Sequence, residues 1–228
     1  MRILIAVAHA DDETLGCFSL LKGHQVRILH CTDSTPLHPR YAQKAGFASV
    51  ADYEVARRAE MLDALAVAGL DIGCWTQLAI SDQAAPGNVA VIRETAIQMQ
   101  ADRIYTHAYE GGHPDHDALA FALRGLPNVW EFPLYHASET GEFVPSRFVG
   151  GEASVAVALT LGQQQEKRRM LNCFRSQQQV IQRFPIDQEL FRPMREYDFS
   201  KPPHAGPLYY EIRQHGWTWS EWRKACAD

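Results

Sequence analysis

The chain has 228 residues, 46% apolar and 10% aromatic, with a formal charge of -5, which suits one large α/β domain over residues 1–228 with a full core and no second domain. The acidic balance, without a long Lys/Arg cluster, argues against nucleic acid or an anionic polymer as partner, and no apolar stretch approaches the roughly 18 residues of a membrane span. The first apolar run passes straight into charges, unlike a signal peptide, and five dispersed cysteines (Cys17, Cys31, Cys74, Cys173 and Cys226) read as reduced thiols, so a cytoplasmic protein is expected.

Residues 3–7, Ile-Leu-Ile-Ala-Val, read as a buried parallel strand. It ends abruptly in His9-Ala10-Asp11-Asp12-Glu13-Thr14. One imidazole and three carboxylates in five positions is a costly density of charge, which a bound divalent metal would compensate; the ordinary alternative is an acidic helix start. A short helix over 15–21, closed by Gly23, leads to a strand over 25–31, completing a βαβ unit. Residues 35–47, with Pro36, Pro39 and Gly46, lack periodicity and form a candidate substrate loop near the same sheet edge. Residues 51–68 are helical with an apolar face. Arg57 and Glu60 lie one turn apart on it, a spacing that usually means an ion pair on a solvated face. A strand over 74–80 ends in Ser81-Asp82-Gln83, where Asp82 is ordinarily a plain turn residue.

A helix over 89–99 and a strand over 103–107 deliver a second polar cluster, Gly111-Gly112-His113-Pro114-Asp115-His116-Asp117, which opens a helix over 114–126. The two clusters together supply a His/His/Asp set suited to an open zinc site with a position left for water. A strand over 129–136, an edge strand over 154–161 and a long helix over 163–184 follow. The tail from about 185 is rich in aromatics, among them Tyr209, Tyr210, Trp217, Trp219 and Trp222, which either stack on a sugar or pack over the core.

His9-Ala10-Asp11-Asp12-Glu13 and His113-Pro114-Asp115-His116 resemble the two boxes of the PIG-L, or LmbE-like, family of zinc-dependent de-N-acetylases. Position 10 departs from the family's Pro, freeing one backbone N–H and loosening the turn without removing a ligand. The Arg57-x-x-Glu60 pair, Asp82 and the late helix with Lys167 and Ser176-Gln177 also resemble family elements, so the likeness spans about the first 180 residues.

The resemblance implies a Rossmann-like three-layer sandwich with a mostly parallel sheet, and one Zn2+ per chain held by His9, Asp12 and His116. Asp11 would be the general base, His113 a protonated donor to the oxyanion, Asp115 the group that orients His113, and Arg57 and Asp82 substrate-binding residues. The implied reaction removes acetyl from an N-acetylglucosamine-type conjugate. Alternatives are a zinc hydrolase of another amide, or a non-catalytic sugar-binding or nucleotide-binding module, although no Gly-x-Gly-x-x-Gly cradle follows the first strand. Homo-oligomerisation stays open. His107, His136 and His204 compete in principle as ligands, though lone histidines are more often hydrogen-bonded core or surface residues.

Overall fold

The computed structural model describes residues 1–22 and 25–227; Gly23, expected to close the first helix, lies outside the described residues. In chain order the elements are β1 (Arg2–Val7), α1 (Asp12–Cys17), β2 (Gln25–His30), α2 (Pro39–Lys44), α3 (Val50–Ala68), β3 (Trp75–Gln77), α4 (Val89–Gln98), β4 (Arg103–His107) and α5 (Pro114–Leu123). Then follow β5 (Val129–Phe132), β6 (Tyr135–Ala137), β7 (Phe143–Pro145), β8 (Val155–Ala158), α6 (Leu161–Leu171), α7 (Gln178–Ile181), β9 (Gln188–Pro193), α8 (Tyr209–Ile212) and α9 (Trp219–Ala225).

Seven strands form one sheet in the order β3-β2-β1-β4-β5-β9-β8. The first five are parallel; β9 runs antiparallel to both β5 and β8. Because side chains alternate across a strand, β1 feeds two cores. Ile3, Ile5 and Val7 meet Leu15 of α1, Met61 and Leu65 of α3, and Met170 and Leu171 of α6. Leu4 and Ala6 face the other way, onto Ile92 and Ala96 of α4, Leu119 and Phe121 of α5, and Trp222 of α9. Helices thus cover both faces, the mostly parallel α/β arrangement expected. Strand order reverses at β1, with β2 on one side and β4 on the other, and ligands of such sheets gather at the carboxyl ends beside that point.

Four expectations change. Residues 35–47 are not wholly irregular, since α2 forms behind Pro39 with His38 as its N-cap. The strand expected over 129–136 splits at Pro133, which lacks the N–H a ladder needs, and β6 turns away to pair with β7. The long helix over 163–184 stops at Leu171: the 3-10 turn Arg175–Gln177 gives Ser176 N and Oγ to Glu60 at 2.7 and 2.8 Å, tertiary bonds that override local periodicity. β9, unexpected, lies within the main sheet because Glu189 and Arg192 are paired there, with Lys167 and Glu131. No helix among the described residues is long and apolar enough to cross a membrane.

Candidate metal centre and its cavity

Both polar clusters lie at the carboxyl edge, on either side of the β1/β4 junction. After β1 the ladder continues one step, Thr32 N–H donating to Ala8 O at 3.1 Å, and the chain then turns so that α1 begins at Asp12. The second cluster is shaped by its glycines. Gly111 has φ +71°, and a Cβ on Gly112 would lie 2.0 Å from Tyr135 O, so the backbone passes where no side chain fits. Asp117 gathers the N–H groups of Glu110 and Gly111, each at 3.0 Å. His113 caps α5 by accepting the Asp115 N–H on Nδ1 at 3.3 Å, and Pro114 occupies the first helical position.

Three atoms from these clusters converge. His9 Nδ1 lies 3.4 Å from Asp12 Oδ2 and 3.3 Å from His116 Nε2, which lies 3.3 Å from the same Asp12 oxygen. His9 Nε2 is 3.1 Å from Asp115 Oδ2. A carboxylate can only accept, so Asp115 draws the His9 proton to Nε2 and leaves Nδ1 a lone pair facing a carboxylate oxygen. Acceptors that face one another in a buried space call for a cation. Although burial opposes it, Asp82, Asp115 and Asp12 hold the His9 pKa well above the usual histidine range; positive charge is favoured at this spot. Burial first, and then neighbouring His107, press the His116 pKa down to about 3, which keeps its lone pair available. Spacings of 3.3–3.4 Å match the edges, about 3.3–3.4 Å, of a tetrahedron with bonds of about 2.0–2.1 Å, the zinc–nitrogen range. The donor set therefore fits a small divalent metal.

Other groupings of nearby residues also bring ligand atoms within 4.8 Å, among them Asp12, His107 and His116. His107 is a fully buried core histidine stacked on His116, ring centroids 3.9 Å apart, and its Nε2 already accepts the Ala8 N–H at 3.1 Å. His136 and His204 stand 6.1 Å apart by ring centroid and outside this site.

All eight expected site residues come together. Asp11 sits beside the three converging atoms at φ 118°, a strained backbone for a non-glycine residue. Burial pushes its carboxyl up to about 8 while Arg57 pulls against it and Asp12 and Glu13 add repulsion. Arg57, only 2% exposed, is no solvated-face residue: it donates to Asp11 Oδ2 at 3.2 Å, to Glu60 at 3.1 Å and to Ala10 O. It thus braces the base loop and also lines the cavity, its Nε buried with no partner among the described residues. Asp115 also differs from expectation. Its Oδ2 serves His9 and the Gln83 N–H (2.6 Å), its Oδ1 the Ala85 N–H (3.0 Å), while His113 Nδ1 is 3.7 Å away. Since the helix cap occupies His113 Nδ1, the proton of neutral His113 rests on Nε2, which donates without being cationic; burial, with the other histidines, presses its pKa well below the usual range. Asp82 Oδ1 is buried with no hydrogen-bond partner among the described residues, 3.4 Å from His9 Nε2 and 3.5 Å from His113 Nε2.

The site opens into a cavity of about 530 Å³, lined also by Tyr41, Tyr53, Tyr135, Lys44, Gln177 and His215. His215, with its ring 5.1 Å from His113, was not foreseen, having no spacing that ties it to either box. The aromatic tail otherwise packs: Trp222 donates to Pro114 O, Trp217 to Gln83 O and Trp219 to Tyr109 Oη, at 2.8–2.9 Å. It braces the second box from behind. The N–H freed at Ala10 is held by Ser34 Oγ at 2.8 Å.

A family model described as PIG-L, GlcNAc-PI de-N-acetylase, matches residues 4–126. Among solved structures the chain is similar to the zinc-inhibited form of teicoplanin deacetylase Orf2 (18% identical, 78% of this chain and 85% of that one, TM-score 0.59). It is also similar to N,N'-diacetylchitobiose deacetylase of Pyrococcus horikoshii (17%, 91% and 87%, 0.57) and to GalB, a 4-carboxy-2-hydroxymuconate hydratase of Pseudomonas putida (14%, 79% and 81%, 0.56). At these identities the likeness is one of fold. No curated protein sequence matches the chain.

Proposed function

The chain belongs to the PIG-L, GlcNAc-PI de-N-acetylase, family, and from that premise we propose that it is a zinc-dependent hydrolase removing acetyl from an N-acetylated amino sugar. The observation that carries this reading is the convergence of His9 Nδ1, Asp12 Oδ2 and His116 Nε2 beside an unshared Asp11 oxygen, on the floor of an open cavity. The hydratase of the same fold shows that architecture alone does not choose the chemistry; the site has to. Two of the three solved structures named above are deacetylases, one of them of a chitobiose, which supports an amino-sugar substrate.

Zinc bound by His9, Asp12 and His116 would lower the pKa of a water towards about 7 and polarise the acetyl oxygen. Asp115 holds His9 by its Nε2 proton, the outer hydrogen bond that fixes a metal-binding imidazole. Asp11 takes the proton of the attacking water on Oδ1, its Oδ2 being held by Arg57, and passes it to the departing amine nitrogen. His113 Nε2–H donates to the acetyl oxygen as negative charge builds there. Asp82 Oδ1, without a hydrogen-bond partner among the described residues, accepts a sugar hydroxyl or the amide N–H, and Tyr41, Tyr53 and Tyr135 offer the ring apolar contact. The products are acetate and the free amine.

The test is amine release from N-acetylglucosamine, N,N'-diacetylchitobiose and simple N-acetyl amines by protein loaded with zinc. Turnover of the sugars alone is expected. Equal turnover of simple amines would indicate another amide hydrolase, and none at all, with zinc bound, a binding module.

A further inference from the structure

The strained Asp11 backbone has a partner that the reaction itself does not require. Its N–H donates to Glu13 Oε2 at 3.1 Å. Glu13 is fully buried and takes His30 Nε2 on the same oxygen at 3.1 Å and Thr14 Oγ1 on the other at 2.6 Å. His30, also fully buried at the end of β2, accepts the Trp75 Nε1–H on Nδ1 at 3.0 Å. An indole nitrogen can only donate. The Trp75 bond therefore fixes the proton of neutral His30 on Nε2, where its acceptor is Glu13. The bonds run from β3 through β2 to Glu13, which also accepts the Asp11 N–H, and Glu13, His30 and Trp75 all lie outside the cavity lining.

We propose that Trp75 and His30 are positioning residues which, acting through Glu13, hold Asp11 in its positive-φ conformation so that its carboxylate faces the reacting water. The proposal rests on Asp11 being the base. A peptide unit that loses this acceptor can relax towards negative φ, carrying the Cβ and carboxylate with it, and misplacement by about 1 Å can cost on the order of 10²-fold in rate. A buried network serving stability alone would leave the geometry at Asp11 indifferent to the His30 tautomer.

Trp75→Phe removes the N–H together with part of the buried ring, His30→Phe removes the donor to Glu13, and His30→Gln keeps a donor near the position of Nε2. With N,N'-diacetylchitobiose and zinc-loaded protein, Trp75→Phe and His30→Phe should lower kcat by roughly 10- to 100-fold, as outer-shell changes do, with KM and zinc content unchanged. His30→Gln should recover most of the rate. In an Asp11→Asn background, His30→Phe should lower kcat no further, because the two changes act through one group. Independently of activity, hydrogen exchange at the Asp11 amide should quicken about tenfold in Trp75→Phe, one hydrogen bond's worth. Unchanged exchange, or an equal loss of rate in the Asp11→Asn background, would overturn the proposal. If Asp11→Asn keeps wild-type kcat, or the wild type does not turn over the sugar, the functional reading fails instead and exchange alone decides the bracing.

Discussion

Two clusters of buried charge sit at opposite ends of the six-residue helix α1, and they are built on opposite plans. At its far end Lys167, with no exposed side-chain surface, donates to Leu15 O and to Glu189 Oε1, both at 2.8 Å, while Glu189 Oε2 accepts the Ser19 N–H at 2.9 Å. The cation lies against the carboxyl-terminal carbonyls, where the helix dipole favours it, and every charge is met inside the protein. At the near end, His9 Nδ1, Asp12 Oδ2 and His116 Nε2 converge with one backbone donor among them, the His9 N–H on Asp12 Oδ2 at 2.9 Å. Burial alone does not mark a functional charge. What distinguishes the site is valence that the fold leaves unmet.

The sharpest way to break this contrast is to remove one acceptor. His116→Ala should abolish both stoichiometric zinc and turnover, and in the metal-free protein should cost only the packing of its buried ring against His107. Metal analysis and thermal melts in chelator check both halves, and retention of zinc would show that the ligand set is misassigned.

Asp11→Asn separates base from ligand. It should keep zinc and lower kcat by roughly 10²- to 10⁴-fold, the range of lost acid–base catalysis, whereas Asp12→Asn should weaken zinc binding first, with activity partly restored by added metal. Metal titrations beside single-turnover rates distinguish the two. Zinc loss in Asp11→Asn would reverse the roles.

At the satisfied end the expected losses lie in stability. Lys167→Met strands Glu189 as a buried charge and should cost about 3–5 kcal/mol, while Lys167→Met with Glu189→Leu should recover most of it, as paired removal of buried ions often does. Denaturant unfolding measures each. A single variant as stable as wild type would mean that the pair is not held as tightly as its distances indicate.

The same contrast explains what the sequence made legible. The unmet end is spelled in consecutive residues: β1 and His9 through Glu13 are local, and the Gly-Gly-His-Pro-Asp-His run carries its own turn and cap, so eight site residues were nameable from spacing and family likeness. The satisfied end is assembled from far apart. Glu189 and Arg192 make β9 read as too polar for an inner strand until Lys167 and Glu131 are placed beside them. The break after Leu171 depends on Glu60, more than a hundred residues earlier, drawing in Ser176. Asp115 meets His9, Gln83 and Ala85 rather than the His113 ring, because spacing shows which residues share a corner and not which atom meets which. His215 carries no local signal; it is brought to the cavity by a tail whose Trp217 anchors on Gln83 O.

The smallest expected effect concerns Ala10, where the family's box has Pro. Its N–H donates to Ser34 Oγ at 2.8 Å, so the turn that looked looser in sequence is tied to the loop after β2 by a bond that Pro would forbid. Ala10→Pro should lose that bond, worth about 1 kcal/mol net. It should regain roughly 0.4–1 kcal/mol by restricting the unfolded chain, because Ala10 is not among the positive-φ residues. The net change should be a destabilisation below about 1 kcal/mol, with zinc content unchanged, since no ligand moves. Ser34→Ala alone should cost about 1 kcal/mol, leaving the Ala10 N–H without its acceptor. In the double variant both partners are gone, so the losses should fail to add by about 1 kcal/mol. Denaturant melts of the four proteins close the cycle. Strict additivity would mean that Ser34 does not take over the tie that Pro makes in the family's box.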